Sequence, residues 1–110
     1  MSYNIIPIER FRKEAKRLLK KHPSLKRELI ELAALLELNP TAGTSLGNNT
    51  YKIRISIKSK SAGKSGGARV LTYVVTENEE IYLLTIYDKA ELDTIDDKTL
   101  RRIVTGIKFK

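Results

Sequence analysis

Lys52, Arg54, Lys58, Lys60, Lys64 and Arg69 lie between Asn39 and Thr76, in a stretch with no Asp or Glu. Cations without internal counter-charge seek phosphate, and held rigidly they can stabilise charge developing on it. In Tyr51-Lys52-Ile53-Arg54-Ile55-Ser56-Ile57-Lys58 apolar and polar residues alternate strictly, which is the period of a half-buried strand. Tyr51, Ile53, Ile55 and Ile57 are expected to face a core, with Lys52, Arg54 and Lys58 aligned on the other side. Arg69 interrupts the apolar run Ala68 to Thr76, just after Gly66-Gly67. A guanidinium there is expensive to desolvate unless it finds an anion or a solvated groove. It is either aimed at a phosphate or paired with one of the acids between Glu77 and Asp97. Tyr87-Asp88-Lys89 closes the next apolar run, with Tyr87 expected on the strand face of Leu83 and Thr85. The end of that strand can bring Lys89 and Tyr87 to Lys52, Arg54 and Arg69 in one cleft.

Other chemistries find little support. Ser61-Ala62-Gly63-Lys64-Ser65 contains Gly-Lys-Ser, but Lys58 stands where a phosphate-binding loop needs its first glycine, and a strand rather than a helix follows. This stretch reads as a basic loop whose Lys60 and Lys64, with Lys58, reach a nucleic-acid phosphate, or as a plain solubilised hairpin connection. His22 is the only histidine and there is no cysteine. A His-based metal site, a disulfide and a Cys nucleophile are thereby excluded, and no cofactor is expected. His22 reads as a turn residue.

The elements that must position these groups follow from periodicity. Tyr3 to Ile8 reads as a first strand. Ile8, Phe11, Ala15, Leu18 and Leu19 form one stripe of a helix, with Arg10, Arg12, Lys13, Lys16, Arg17 and Lys20 opposite. His22-Pro23-Ser24 ends it. Leu25, Leu29, Leu32, Ala33 and Leu36 mark a second helix that stops at Asn39-Pro40, completing a helical hairpin. Thr41 to Thr50 reads as a loop. Strands are expected at Tyr51–Lys58, Ala68–Thr76 and Ile81–Tyr87, and a last helix from Asp96-Asp97 with Leu100, Ile103, Val104 and Ile107 inward. The fold class is α+β: a small antiparallel sheet with an N-terminal α-helical hairpin and a C-terminal helix, in the order β-α-α-β-β-β-α.

With 110 residues and a formal charge of +8, the chain is expected to be one domain, 1–110, with an anionic partner. Eight of its thirteen acids fall between Glu77 and Asp97, opposed there only by Lys89, so the basic character belongs to the first helix and the second strand. No segment has the apolar length to span a bilayer; no membrane partner and a cytoplasmic location are expected.

Taken together, the element order, Tyr51-Lys52-Ile53-Arg54, Gly66-Gly67-Ala68-Arg69-Val70-Leu71-Thr72-Tyr73 and Ile81-Tyr82-Leu83-Leu84-Thr85-Ile86-Tyr87-Asp88-Lys89 resemble the RelE/ParE superfamily of toxins from type II toxin–antitoxin modules, in its RelE/HigB-like branch. The resemblance implies a ribosome-dependent, metal-independent endoribonuclease that cleaves mRNA in the A site and inhibits translation. The 2′-hydroxyl attacks the adjacent phosphate and leaves a cyclic phosphate. By position, Lys52 and Arg54 match the pair that binds the RNA backbone and activates the nucleophile, Arg69 the arginine that stabilises the phosphorane, and Lys89 the basic residue ending the last strand. The tyrosine that RelE carries shortly afterwards has no counterpart, since Asp93-Thr94-Ile95 occupies that region. Tyr87, Lys89 and Glu91 are the alternatives for general acid. The implied partners are a cognate antitoxin and mRNA on the 30S A site. The alternatives are a ParE-like DNA gyrase inhibitor and a non-catalytic basic domain that binds RNA or protein.

Overall fold

The structure, a computed structural model, describes residues 3–57, 67–92 and 94–108. Its elements are β1 (Asn4–Pro7), α1 (Glu9–Lys21), α2 (Leu25–Leu38), β2 (Thr44–Gly47), β3 (Thr50–Ile55), β4 (Ala68–Val75), β5 (Glu80–Asp88) and α3 (Asp97–Lys108). They build a five-stranded sheet in the order β1-β5-β4-β3-β2. One face carries α1 and α2, the other α3, giving the expected α+β class.

Each helix docks through the stripe read from its sequence. Phe11, Ala15 and Leu18 of α1 and Leu25, Leu32 and Leu36 of α2 are buried against Ile53, Ile55, Val70, Val74, Ile81, Leu83 and Ile86. Glu9 opens α1 and Lys20 and Lys21 close it, an arrangement that complements the helix dipole. On the opposite face Leu100, with Ile103, Val104 and Ile107, packs on Leu71, Tyr73, Leu84 and Tyr87. Asp96 caps α3 by accepting the Thr99 N–H at 2.9 Å, and hydrogen bonds from the Thr99 side chain and from its N–H lower the Asp96 carboxyl pKa. The helix runs through Gly106 to Lys108.

The sheet departs from expectation in four places. First, residues 41–50 are not simply a loop. β2 pairs antiparallel with β3 through a two-residue turn, Asn48-Asn49, with φ of 51° and 63°. This is the left-handed pair that a tight hairpin requires and that asparagine tolerates. Second, β1 runs parallel to β5, with Ile5 beside Ile81 and Pro7 beside Leu83, so the sheet is mostly rather than wholly antiparallel. Third, β3 ends at Ile55 rather than Lys58, although Ile57 beyond it remains buried at 3% exposure.

The fourth departure matters most for the site. Along β4, Leu71 pairs with Thr85 but Thr72 pairs with Leu83, so β5 contains an extra residue there. Such a bulge reverses the alternation beyond it. Leu83 therefore belongs to the core under α1 and α2, whereas Tyr87 belongs to the core under α3. The expected shared face of Leu83, Thr85 and Tyr87 is not formed. Glu14 of α1 secures the bulge: its Oε1 accepts the Thr85 hydroxyl at 2.6 Å and the Ile86 N–H at 3.2 Å.

Candidate functional site

Because of the bulge, three residues of adjacent strands stand in one row. Arg54 of β3 pairs with Arg69 of β4, and Arg69 pairs with Tyr87 of β5. Directly opposed residues project from the same face with Cβ atoms about 4.5–5.5 Å apart. Lys52 lies two residues before Arg54 on that face, opposite Leu71. Three cations thus share one side of the sheet, on the α3 face. Two arginines directly across a ladder repel each other, so the row favours an anion over it.

Arg69 is the centre of the row and is 3% exposed. Its Nη1 donates to the Ala68 carbonyl at 3.2 Å, and its buried Nη2 finds no acceptor among the described residues. The alternative reading, an ion pair with an acid between Glu77 and Asp97, is not met among the described residues: none of their salt bridges involves Arg69. A buried guanidinium without a carboxylate carries a desolvation cost of several kcal/mol, which a bound phosphate would offset. Gly67 enables the close approach of β3 and β4 beside it, because a Cβ at that position would collide with the Ile55 carbonyl.

The remaining candidates are placed differently. Arg54 is exposed and Lys52 half-buried, as groups that meet a ligand need to be. Tyr87 is 5% exposed within the α3-side core. Lys89 is half-buried just past β5, where its N–H donates to the Gly67 carbonyl at 3.1 Å and ties it to the start of β4. Lys58, Lys60 and Lys64, and the Gly-Lys-Ser stretch with them, lie outside the described residues.

Glu91 is ill suited to donating a proton. Arg17 donates to it at 2.8 Å and Lys21 at 3.1 Å. These hydrogen bonds hold its carboxyl at a pKa of about 2, so it is ionised at neutral pH. His22 proves to be more than a turn residue. At 8% exposure, its Nε2 lies 3.7 Å from Oδ2 of Asp88, itself 2% exposed. This pair and the Glu91 contacts join the end of β5 to the α1 side. Sequence reasoning missed both, since partners 66 or more residues apart leave no local pattern.

Among the described residues no three of His, Asp and Glu cluster as a metal site would require, and no helix is long and apolar enough to cross a membrane. No family model matches the chain. Solved structures do. A mutant of E. coli toxin RelE with two arginines replaced by alanine, in the free state, aligns over 94% of this chain and 99% of its own length, with a TM-score of 0.65 and 19% identity. A chain of the intact E. coli RelBE toxin–antitoxin complex aligns over 79% of this chain and 96% of its own length, with a TM-score of 0.54 and 22% identity. Isolated E. coli RelE aligns over 96% and 99%, at 0.52 and 19%. The arginine row is therefore carried on a RelE-like fold.

Proposed function

We propose that residues 1–110 form a single toxin domain of a type II toxin–antitoxin module, and that it cleaves mRNA on the ribosome without a metal. The observation that carries this reading is the buried Arg69 guanidinium, opposite Arg54 and Tyr87 and without a carboxylate partner among the described residues. Lys52 and Arg54 grip the RNA backbone. The 2′-hydroxyl passes its proton to Lys52, acting as an unprotonated amine, and attacks the adjacent phosphorus; the 5′-oxygen leaves with a proton from Tyr87 or Lys89, and a 2′,3′-cyclic phosphate remains. Arg69 and Arg54 stabilise the dianionic phosphorane, a preorganised electrostatic contribution. Tyr87, next to Arg69 in the row, and Lys89, at the end of β5, are assigned the protonation of the leaving oxygen, and Glu91 is set aside. With no histidine in the row, catalysis depends on external positioning of the RNA, which is the part assigned to the ribosomal A site.

The RelBE likeness supports a cognate antitoxin as partner, acidic where it meets Lys52, Arg54 and Arg69. Primer extension on translated mRNA after induction tests the assignment. New 5′ ends within codons are expected, and they should vanish in Arg69→Ala. Growth arrest with intact mRNA would refute the nuclease, and accompanying DNA breaks would move the assignment to gyrase poisoning.

A further inference from the structure

Arg17, Lys21 and the cap residue His22 all reach from the end of α1 to the end of β5. Arg17 and Lys21 donate to Glu91, and the His22 ring meets Asp88. His22 is fixed at both backbone groups: its N–H donates to the Leu18 carbonyl at 2.7 Å, and its carbonyl accepts the Leu25 N–H at 3.0 Å. Pro23 holds it out of the helical conformation, at φ −134° and ψ 81°. The imidazole is thus presented from a rigid corner between α1 and α2. Asp88 is the last residue of β5 paired with β4, opposite Ala68. The chain then leaves the ladder after one more bond, from the Lys89 N–H to the Gly67 carbonyl. Beyond that point Asp88 itself organises the turn. Its Oδ1 accepts the Ala90 N–H at 3.0 Å, and its carbonyl accepts those of Glu91 and Leu92 at 2.9 and 3.0 Å. The other carboxylate oxygen, Oδ2, faces His22 Nε2 at 3.7 Å, both residues being buried. A carboxylate so placed needs a donor or a positive charge beside it. Lys89 therefore stands between two anchors, Asp88 and Glu91, both held by the end of α1.

We propose that His22 and Asp88 are positioning residues for RNA cleavage. The imidazole locks the Asp88 carboxylate, the carboxylate fixes the turn, and the turn aims Lys89 at the leaving 5′-oxygen. The inference rests on the cleavage reading and commits it to Lys89, rather than Tyr87, as the proton donor. A lysine ammonium rides on a flexible stem, and a proton donor works only within hydrogen-bond reach of its acceptor. Fixing the backbone of Lys89 is therefore what makes it usable. Tyr87 needs no such device, since the β4 ladder and the core under α3 already hold it.

Two measurements on the full chain test it, and the first, amide hydrogen exchange, needs no activity. His22→Leu removes the donor, and His22→Asn keeps a polar group too short to reach Oδ2. Either should speed exchange of the Ala90, Glu91 and Leu92 N–H groups about tenfold, while the Ile86 N–H, bonded to Glu14, keeps its wild-type rate. His22→Gln returns an N–H near the place of Nε2 and should restore protection. Unchanged exchange in the turn overturns the proposal, and so does a loss that extends to Ile86, because His22 would then support the fold at large. The second measurement is single-turnover cleavage on mRNA-programmed ribosomes, at a temperature where the variants are folded. His22→Leu or His22→Asn should lower the saturating rate about 10- to 100-fold, with the half-saturating concentration of chain unchanged. His22→Gln should recover most of it. Because His22 acts through Lys89, H22L/K89A should be no slower than Lys89→Ala alone. Losses that multiply, or a Lys89→Ala chain as fast as wild type, overturn the proposal. Wild-type cleavage with His22→Leu equally fast sinks this inference alone. Intact mRNA with the wild-type chain sinks the cleavage reading, and the assignment of Lys89 with it.

Discussion

On the side of the sheet covered by α1 and α2, the described charges near the core are matched. Glu14 holds the bulge of β5, Asp88 meets His22, and Glu91 accepts from Arg17 and Lys21. On the α3 side, Arg54 faces Arg69 across the ladder with no carboxylate between them among the described residues. The same sheet thus meets Glu14, Asp88 and Glu91 with partners on one face and leaves a concentrated positive charge on the other. The matched face is the one expected to answer in stability, and the unmatched face in activity.

The sharpest break between them is Arg69→Ala. It should lower RNA cleavage about 100- to 1,000-fold, as loss of one preorganised electrostatic donor does, while the urea midpoint stays within error of wild type or rises, since no carboxylate partner is stranded among the described residues. A large loss of stability would show instead that Arg69 is structural. The converse variant is Leu36→Ala, at a side chain 0% exposed. It should cost about 2–5 kcal/mol in urea unfolding, with cleavage per folded molecule retained. Glu14→Ala strands the Thr85 hydroxyl and the Ile86 N–H and should cost about 1–3 kcal/mol. Because it loosens the bulge that sets Tyr87 beside Arg69, it should also lower cleavage, and an unchanged rate would separate the bulge from the site.

The smallest effect concerns Glu91. Its folded pKa of about 2 lies below the ordinary 4.5, so the folded state favours the ionised carboxylate. The contribution is complete above about pH 4.5 and is lost as pH falls toward 2. The melting temperatures of wild type and Glu91→Gln should differ by a constant amount from pH 5 to 8, worth no more than about 1 kcal/mol for so exposed a contact, and converge in acid. If the difference instead widened on acidification, the sign of the linkage would be wrong.

Much of the fold was legible because it is written in local periods. Phe11, Ala15 and Leu18 recur at helical spacing and are buried; Ile53 and Ile55 alternate with Lys52 and Arg54 and do face the core. Asp96 announced the cap of α3. β2 escaped notice although Asn48-Asn49 was a usable turn signal, because Thr44–Gly47 is four exposed residues with no apolar alternation. Arg69 stood out by type, a charge in an apolar run. Its isolation from the downstream acids did not, since that depends on where β5 and its loop carry them.

The amino-acid order alone determined the helices, the alternating basic strand and the segregation of acids from cations, each set by neighbours within a turn or a few residues. Only the tertiary structure decided that β1 runs parallel to β5, that a bulge moves Tyr87 to the face of Arg69, and that Arg54 and Arg69 stand opposed. Strand direction and register are properties of a pair, fixed by hydrogen bonds between residues far apart in the chain. One extra residue in β5 inverts every side chain beyond it.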